Sequence, residues 1–154
     1  MPAIEQLHPM ILHFPIVLIT LLAAIDLFAL WRRIPIGGRD TYASMAAAIA
    51  VATGAFAALA AALGDTALEI AISRGVSPAL ADVHETLGTT AAWLFGAWAI
   101  ARAYVWWKQV PLEGGRKLAV VVVDVALVAF IIVVAYFGGQ LVYEHGVNVM
   151  PKLG

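Results

Sequence analysis

Four histidines are the residues of this 154-residue chain best suited to chemistry: His8, His13, His84 and His145. Cysteine is absent, which excludes disulfides, thiolate zinc sites, covalent c-type haem and cysteine-held iron–sulfur clusters. A metal would then be held by imidazole, carboxylate, thioether or backbone oxygen, and imidazole suits haem iron and the borderline transition metals best. A b-type haem needs two histidines facing each other from different helices, beside small residues that admit a flat macrocycle. His84, Gly88, Ala92 and Gly96 recur every four residues and share one helix face. Gly138 stands two turns before His145. His13 with His84 is the first candidate pair; His145 with His8 is the second, or an aqueous-side metal site. Glu85 and Glu144 adjoin two of these histidines and would orient them, or supply oxygen ligands, in a non-haem copper, iron or zinc site. No catalytic base or nucleophile stands out: there is no His-Glu-x-x-His spacing and no glycine-rich phosphate loop. The residues point to a redox carrier or complex subunit more than to a stand-alone enzyme.

The elements that must position these side chains are apolar. Hydrophobic residues make up 63% of the chain and charged residues 12%, with a mean hydropathy of +0.93; soluble domains are far more charged. Nine Lys and Arg against ten Asp and Glu leave no basic surplus for nucleic acid. Apolar stretches at about 11–31, 43–63, 88–107 and 118–138 each approach the roughly 20 residues that cross a hydrocarbon core. The expectation is one all-α domain over 1–154, an integral-membrane, up-down-up-down four-helix bundle. Arg32, Arg33, Arg39, Lys108, Arg116 and Lys117, with Arg102 just inside, outnumber Arg74 and Lys152 on the other side. The positive-inside rule puts the basic face in the cytoplasm and both termini outside. All four histidines then lie at the outer rim. The first apolar run has its basic pair behind it, the polarity of a retained anchor. Turns are expected at Pro35–Gly38 and around Pro111 and Gly114-Gly115, with a longer outer connection from about 65 to 85 in which Ser77-Pro78 starts a helix. Pro9 is expected to hold His8 in extended or turn backbone. Ala55, Ala58 and Ala62, with Gly54, offer a small face for close packing. No segment repeats another with enough fidelity to suggest duplication.

Three charges fall inside the apolar stretches: Asp26, Arg102 and Asp124. Arg102 and Asp124 lie at similar heights on consecutive antiparallel helices, so they should pair, with Asp26 as third member, because unpaired charges are costly there. A structural charge network is the leading reading; a proton or quinone-headgroup station is the alternative, though no polar path leads from it to the histidines.

The segment Leu7-His8-Pro9-Met10-Ile11-Leu12-His13-Phe14-Pro15-Ile16 resembles the His-Pro-x-x-x-His-Phe-Pro opening of a bacterial family of small four-helix membrane proteins. Gly139–Gly146 resembles that family's closing motif, and His84 falls where its intermediate histidine precedes the third helix. The family's members are similar to modules beside or fused with Rieske and cytochrome c domains. The resemblance implies a redox role at the outer face of a bacterial inner membrane, a haem or metal at His8, His13, His84 and His145, and a separate electron partner. Acidic outer residues Glu5, Asp65, Glu69, Asp82, Glu85 and Glu144 would suit a basic partner such as a small cytochrome. The leading expectation is an electron-transfer subunit with one or two b-type haems. A non-haem metal protein, and a structural subunit of a larger respiratory or redox complex, are the alternatives.

Overall fold

The computed structural model describes residues 4–147, and within them the chain is helical apart from short links. The segments are α1 (Ile4–Ile11), α2 (His13–Arg32), α3 (Thr41–Ser73), α4 (Pro78–Trp107) and α5 (Gly114–Tyr143). Lys152, one of the two basic residues counted on the outer side, lies outside the described residues. Among those residues, Leu7–Arg32, Thr41–Ser73 and Gly114–Tyr143 are long and apolar enough to cross a membrane. The fourth long helix, α4, is not among them: Gly88, Thr89, Thr90, Gly96 and Arg102 dilute its apolar run.

The helix ends follow local chemistry. Asp40 caps α3 by accepting from the Ala43 amide at 2.8 Å. Arg33 turns into the left-handed region to close α2, and the Ile34 amide reaches back to the Ala29 carbonyl at 2.9 Å. Ser77 precedes α4 and Pro78 occupies its first turn, as their types suggest.

Two expectations fail at helix ends. His8 is not in extended backbone: α1 begins at Ile4 and carries Pro9 inside it, and the break falls at Leu12, between the two prolines Pro9 and Pro15 that lack amide donors. The connection expected over 65–85 shrinks to 74–77. There α3 continues through two further turns because Ala67 and Ala71 are buried while Asp65 and Glu69 face outward, a helical alternation.

Packing runs in a ring. α1 and α2 lie against α3, α3 against α4, α4 against α5, and α5 returns to α2; across the middle, α2 and α4 meet only through long side chains, such as Asp26 with Arg102. The core gathers Ile19, Leu22, Ala46, Ala50, Ala57, Ala91, Phe95, Leu127, Ile131 and Val134. α3 and α4 approach closely at Gly54. A Cβ there would stand 2.8 Å from the Ala99 Cβ and 3.1 Å from the Phe95 carbonyl, the small-residue contact that lets helix backbones approach where water does not drive association. Ala55, Ala58 and Ala62 are exposed and form no such face. The outer surface is itself apolar, with Trp93 77% and Ile100 73% exposed. Gly54→Val should destabilise the α3–α4 contact by about 1–3 kcal/mol, read as a lower midpoint in a detergent thermal melt. An unchanged midpoint would contradict the close approach.

Candidate functional site

His8 and His84 meet at one end of the ring. α1 lays His8 against α3, where its Nδ1 lies 2.8 Å from the Ala60 carbonyl oxygen. α4 lays His84 against α5, with Nδ1 3.2 Å from the Val134 carbonyl oxygen. A carbonyl only accepts, so each Nδ1 carries the hydrogen and donates it; in a neutral ring this leaves Nε2 with its lone pair. Neither Nε2 has a hydrogen-bond partner among the described residues. The ring centroids are 6.4 Å apart and the planes cross at 78°. Each ring rests on a glycine. A Cβ at Gly64 would stand 3.0 Å from His8 Cε1, and one at Gly138 would stand 2.8 Å from His84 Cε1. Burial, and then the neighbouring His8, hold the His84 imidazole below its ordinary 6.5, against the Val134 carbonyl, which favours the protonated ring.

The other predicted residues stand apart from this pair. His13 is exposed and its Nδ1 meets the Pro9 carbonyl of its own helical run at 2.5 Å. Five residues is about 140° around a helix, so His13 cannot share the face of His8. His145 is exposed beyond the end of α5. Gly138 lies under His84 rather than serving His145. Gly88 and Ala92 continue the His84 face of α4, half-buried, and the space a Cβ would fill at Gly88 and Gly96 is open. Glu85 and Glu144 are exposed. Among the described residues no three His, Asp or Glu side chains gather as a metal-ligand set. Gly64 and the Ala60 carbonyl were not visible in the sequence as partners of a histidine; the signal was a glycine in an alanine-rich helix at the height of the histidines.

The second constellation is ionic and sits towards the other end. Arg102 Nη1 bonds the Asp26 carboxylate and lies 3.5 Å from Asp124 Oδ2. Trp98 donates its indole N–H to Asp124 Oδ1 at 2.7 Å. Asp26 and Asp124 are wholly buried and Arg102 is 3% exposed. Asp26 is thus the nearer partner, although Asp124 is on the adjacent helix. Asp26 Oδ1 has no hydrogen-bond partner among the described residues. Trp98, one turn before Arg102, escaped sequence reasoning, and Lys117, two turns before Asp124, was counted there only as a basic loop residue, whereas it is buried. Lys117 Nζ donates to the Ala29 and Ile34 carbonyls at the end of α2, complementing the negative end of that helix dipole.

An all-helical chain with an apolar exterior, buried ion pairs and two imidazoles at one end defines a membrane-protein class. The chain belongs to the family described as predicted membrane protein (DUF2231), which it matches over residues 5–151. No curated protein and no solved structure matches the chain. It is a membrane protein with three candidate spans, and its exposed apolar side chains meet lipid.

Removing Arg102 leaves two buried carboxylates uncompensated. Arg102→Met should cost about 3–5 kcal/mol, seen as lost folded yield and a lower melting midpoint; wild-type stability in the variant would sink the ionic clamp. For His84 the sign is set by its lowered value. Above pH 6.5 the ring is neutral both folded and unfolded and costs nothing. As the pH falls below 6.5 the unfolded ring takes up the proton first, so the folded state loses stability. A ¹⁵N-imidazole NMR titration should place His84 below 6.5; a midpoint at or above it would contradict the burial.

Proposed function

We propose that the protein is a membrane electron-transfer subunit that holds one b-type haem between His8 and His84. The observation that carries this reading is the facing imidazole pair with each Nδ1–H donated to a backbone carbonyl. That is the arrangement that fixes ring orientation in metal-ligating histidines and raises their basicity. The spacing suits the group: two iron–nitrogen bonds of about 2 Å, plus the offset of each nitrogen from its ring centre, put the centroids roughly 6 Å apart, against 6.4 Å here. Gly88 leaves open space beside His84. When bound, the haem supplies a one-electron centre. The chain's own contribution is to orient two neutral imidazoles and half-bury them. A haem needs two protein ligands and a non-haem site three or four, and among the described residues no third His, Asp or Glu joins this pair, which favours haem.

In the same reading the chain crosses a bacterial inner membrane four times as an up-down-up-down bundle. α4 spans despite its diluted apolar run because Arg102 is paired inside the ring. Arg32, Arg33, Arg39, Lys108, Arg116 and Lys117 mark the cytoplasmic side, and the termini and imidazoles lie outside. Arg39 reaches the Trp107 carbonyl at 2.9 Å and covers the Trp106 ring, and Lys108 covers the Trp107 ring, as basic and aromatic residues do at a membrane interface. Electrons would pass to a separate protein, such as a cytochrome c or a Rieske protein, or within a larger membrane complex.

Purified in detergent, the wild-type chain should show a Soret band and, after dithionite, a sharp α-band. His8→Ala and His84→Ala should each lose the six-coordinate spectrum, whereas His13→Ala and His145→Ala keep it. Colourless protein from haem-replete cells, or loss at His13 with retention at His8, would refute the assignment.

A further inference from the structure

Segments of the two halves of the chain correspond at nearly constant offsets. Pro2-Ala3-Ile4-Glu5-Gln6-Leu7-His8 matches Pro78-Ala79-Leu80-Ala81-Asp82-Val83-His84, and Trp31-Arg32-Arg33-Ile34-Pro35-Ile36 matches Trp107-Lys108-Gln109-Val110-Pro111-Leu112, all with the same offset of 76 residues. Gly37-Gly38-Arg39 and Gly114-Gly115-Arg116 follow after the single extra residue Glu113. The backbone repeats with the sequence. Arg33 and Gln109, 76 apart, are the only non-glycine residues with positive φ among those described, at 59° and 52°. α3 and α5 are each followed by a glycine at positive φ, Gly75 and Gly146.

Burial repeats as well. Shifted by 76, buried Pro15, Ile19, Ala23 and Asp26 of α2 fall on buried Ala91, Phe95, Ala99 and Arg102 of α4. Shifted by 74, every buried residue of α3 from Ala43 to Ala60 except Gly54 falls on a buried residue of α5, from Lys117 to Val134. Such coincidence does not come from apolar composition alone, because it specifies one face of each helix in the same register.

The contacts obey the symmetry this implies. α3 against α4 is the counterpart of α5 against α2, and both pairs touch. Equivalent residues meet each other across the centre: His8 with His84 and Asp26 with Arg102, the self-complementary pattern of a two-fold interface. The two inner turns also meet, for a Cβ at Gly37 would collide with Val110, and Ile36 and Leu112 share one buried cluster.

We propose that the chain is one helical hairpin used twice about an approximate two-fold axis along the bundle. His8 and His84 are then one half-site presented twice, binding a single metal-centred ligand on that axis, with Gly64 and Gly138 as positioning residues. The nature of the ligand rests on the haem reading above; the paired half-site does not. Its parts are identical on both sides: an Nδ1–H donated to a carbonyl at position i, Ala60 or Val134, and a glycine at i+4, Gly64 or Gly138. In a helix the carbonyl of i already accepts from the amide of i+4. The imidazole adds a second bond to the same oxygen, and the missing side chain one turn on makes room for the ring. At the inner end the halves have diverged, since Lys117 and Asp124 stand where the first half has Ala43 and Ala50. At the imidazole end the whole device is duplicated.

The test uses the full chain in detergent, free of haem, labelled with ¹⁵N-histidine. His8 and His84 should both be protonated at Nδ1 and bare at Nε2. Gly64→Ala should move the His8 signals alone, and Gly138→Ala those of His84 alone. After haem addition, either substitution should lower the six-coordinate fraction to a similar extent. Opposite tautomers in the wild-type rings, or a glycine substitution that disturbs both or neither, would overturn the paired half-site. The wild-type spectrum decides even if a variant fails to fold. Matched tautomers in a protein that takes up no haem would overturn the electron-carrier reading alone.

Discussion

An imidazole from one helix can lie on a carbonyl in the middle of another where the next turn leaves room for the ring. Two imidazoles in this protein meet that condition, one over Gly64 and the other over Gly138, and much of the packing at that end of the helices follows from it. The Nδ1–H bonds to Ala60 and Val134 tie α1 to α3 and α4 to α5. They spare each ring an unsatisfied donor in a poorly hydrated setting, where such a group is costly. They also leave both Nε2 atoms without a partner among the described residues, and the proposed ligand would bind there.

The other end of the helices meets the same constraint with charge. Eighteen residues separate His8 from Asp26 and His84 from Arg102, about 27 Å of helix, close to the thickness of a hydrocarbon core. One end of the ring is therefore joined by two imidazoles and the other by an ion pair, with Trp98 donating to Asp124 and Lys117 to a carbonyl in the last turn of α2. Between them lies a dry core of Ile19, Leu22, Phe95 and Ile131 packed on alanines. Breaking a buried ion pair costs more than forming it gains, so Arg102 acts chiefly to specify which helices meet.

The apolar runs, the turns at Pro35 and Pro111, and the start of α4 at Ser77-Pro78 were legible because each has a local cause: length, turn chemistry, capping. What could not be read depended on helix phase. Placing Pro9 inside α1 rather than before a helix rotates His8 inward and leaves His13 outside, which exchanges one imidazole for another in the pair. The run from Asp65 to Ser73 looked like a polar connection because Asp65 and Glu69 mark only its exposed face. The duplication was hidden for a related reason. Its halves share few identities beyond the histidine and the proline-glycine turns, and interchangeable Ala, Val, Ile and Leu carry the rest. The offset also changes from 76 to 74 between the first and second helix of each hairpin. Burial recovers the register because the packed face is what the two copies have in common.

The most direct measurement of the central claim is geometric and needs no cofactor. The chain has no cysteine, so pairs can be introduced at 8 and 84, 13 and 84, and 145 and 84, treated in membranes with a short thiol-reactive cross-linker, and read by mass spectrometry. The account predicts efficient linkage for 8 with 84 and little for the other two. Preferential linkage of 13 or 145 to 84 would contradict it.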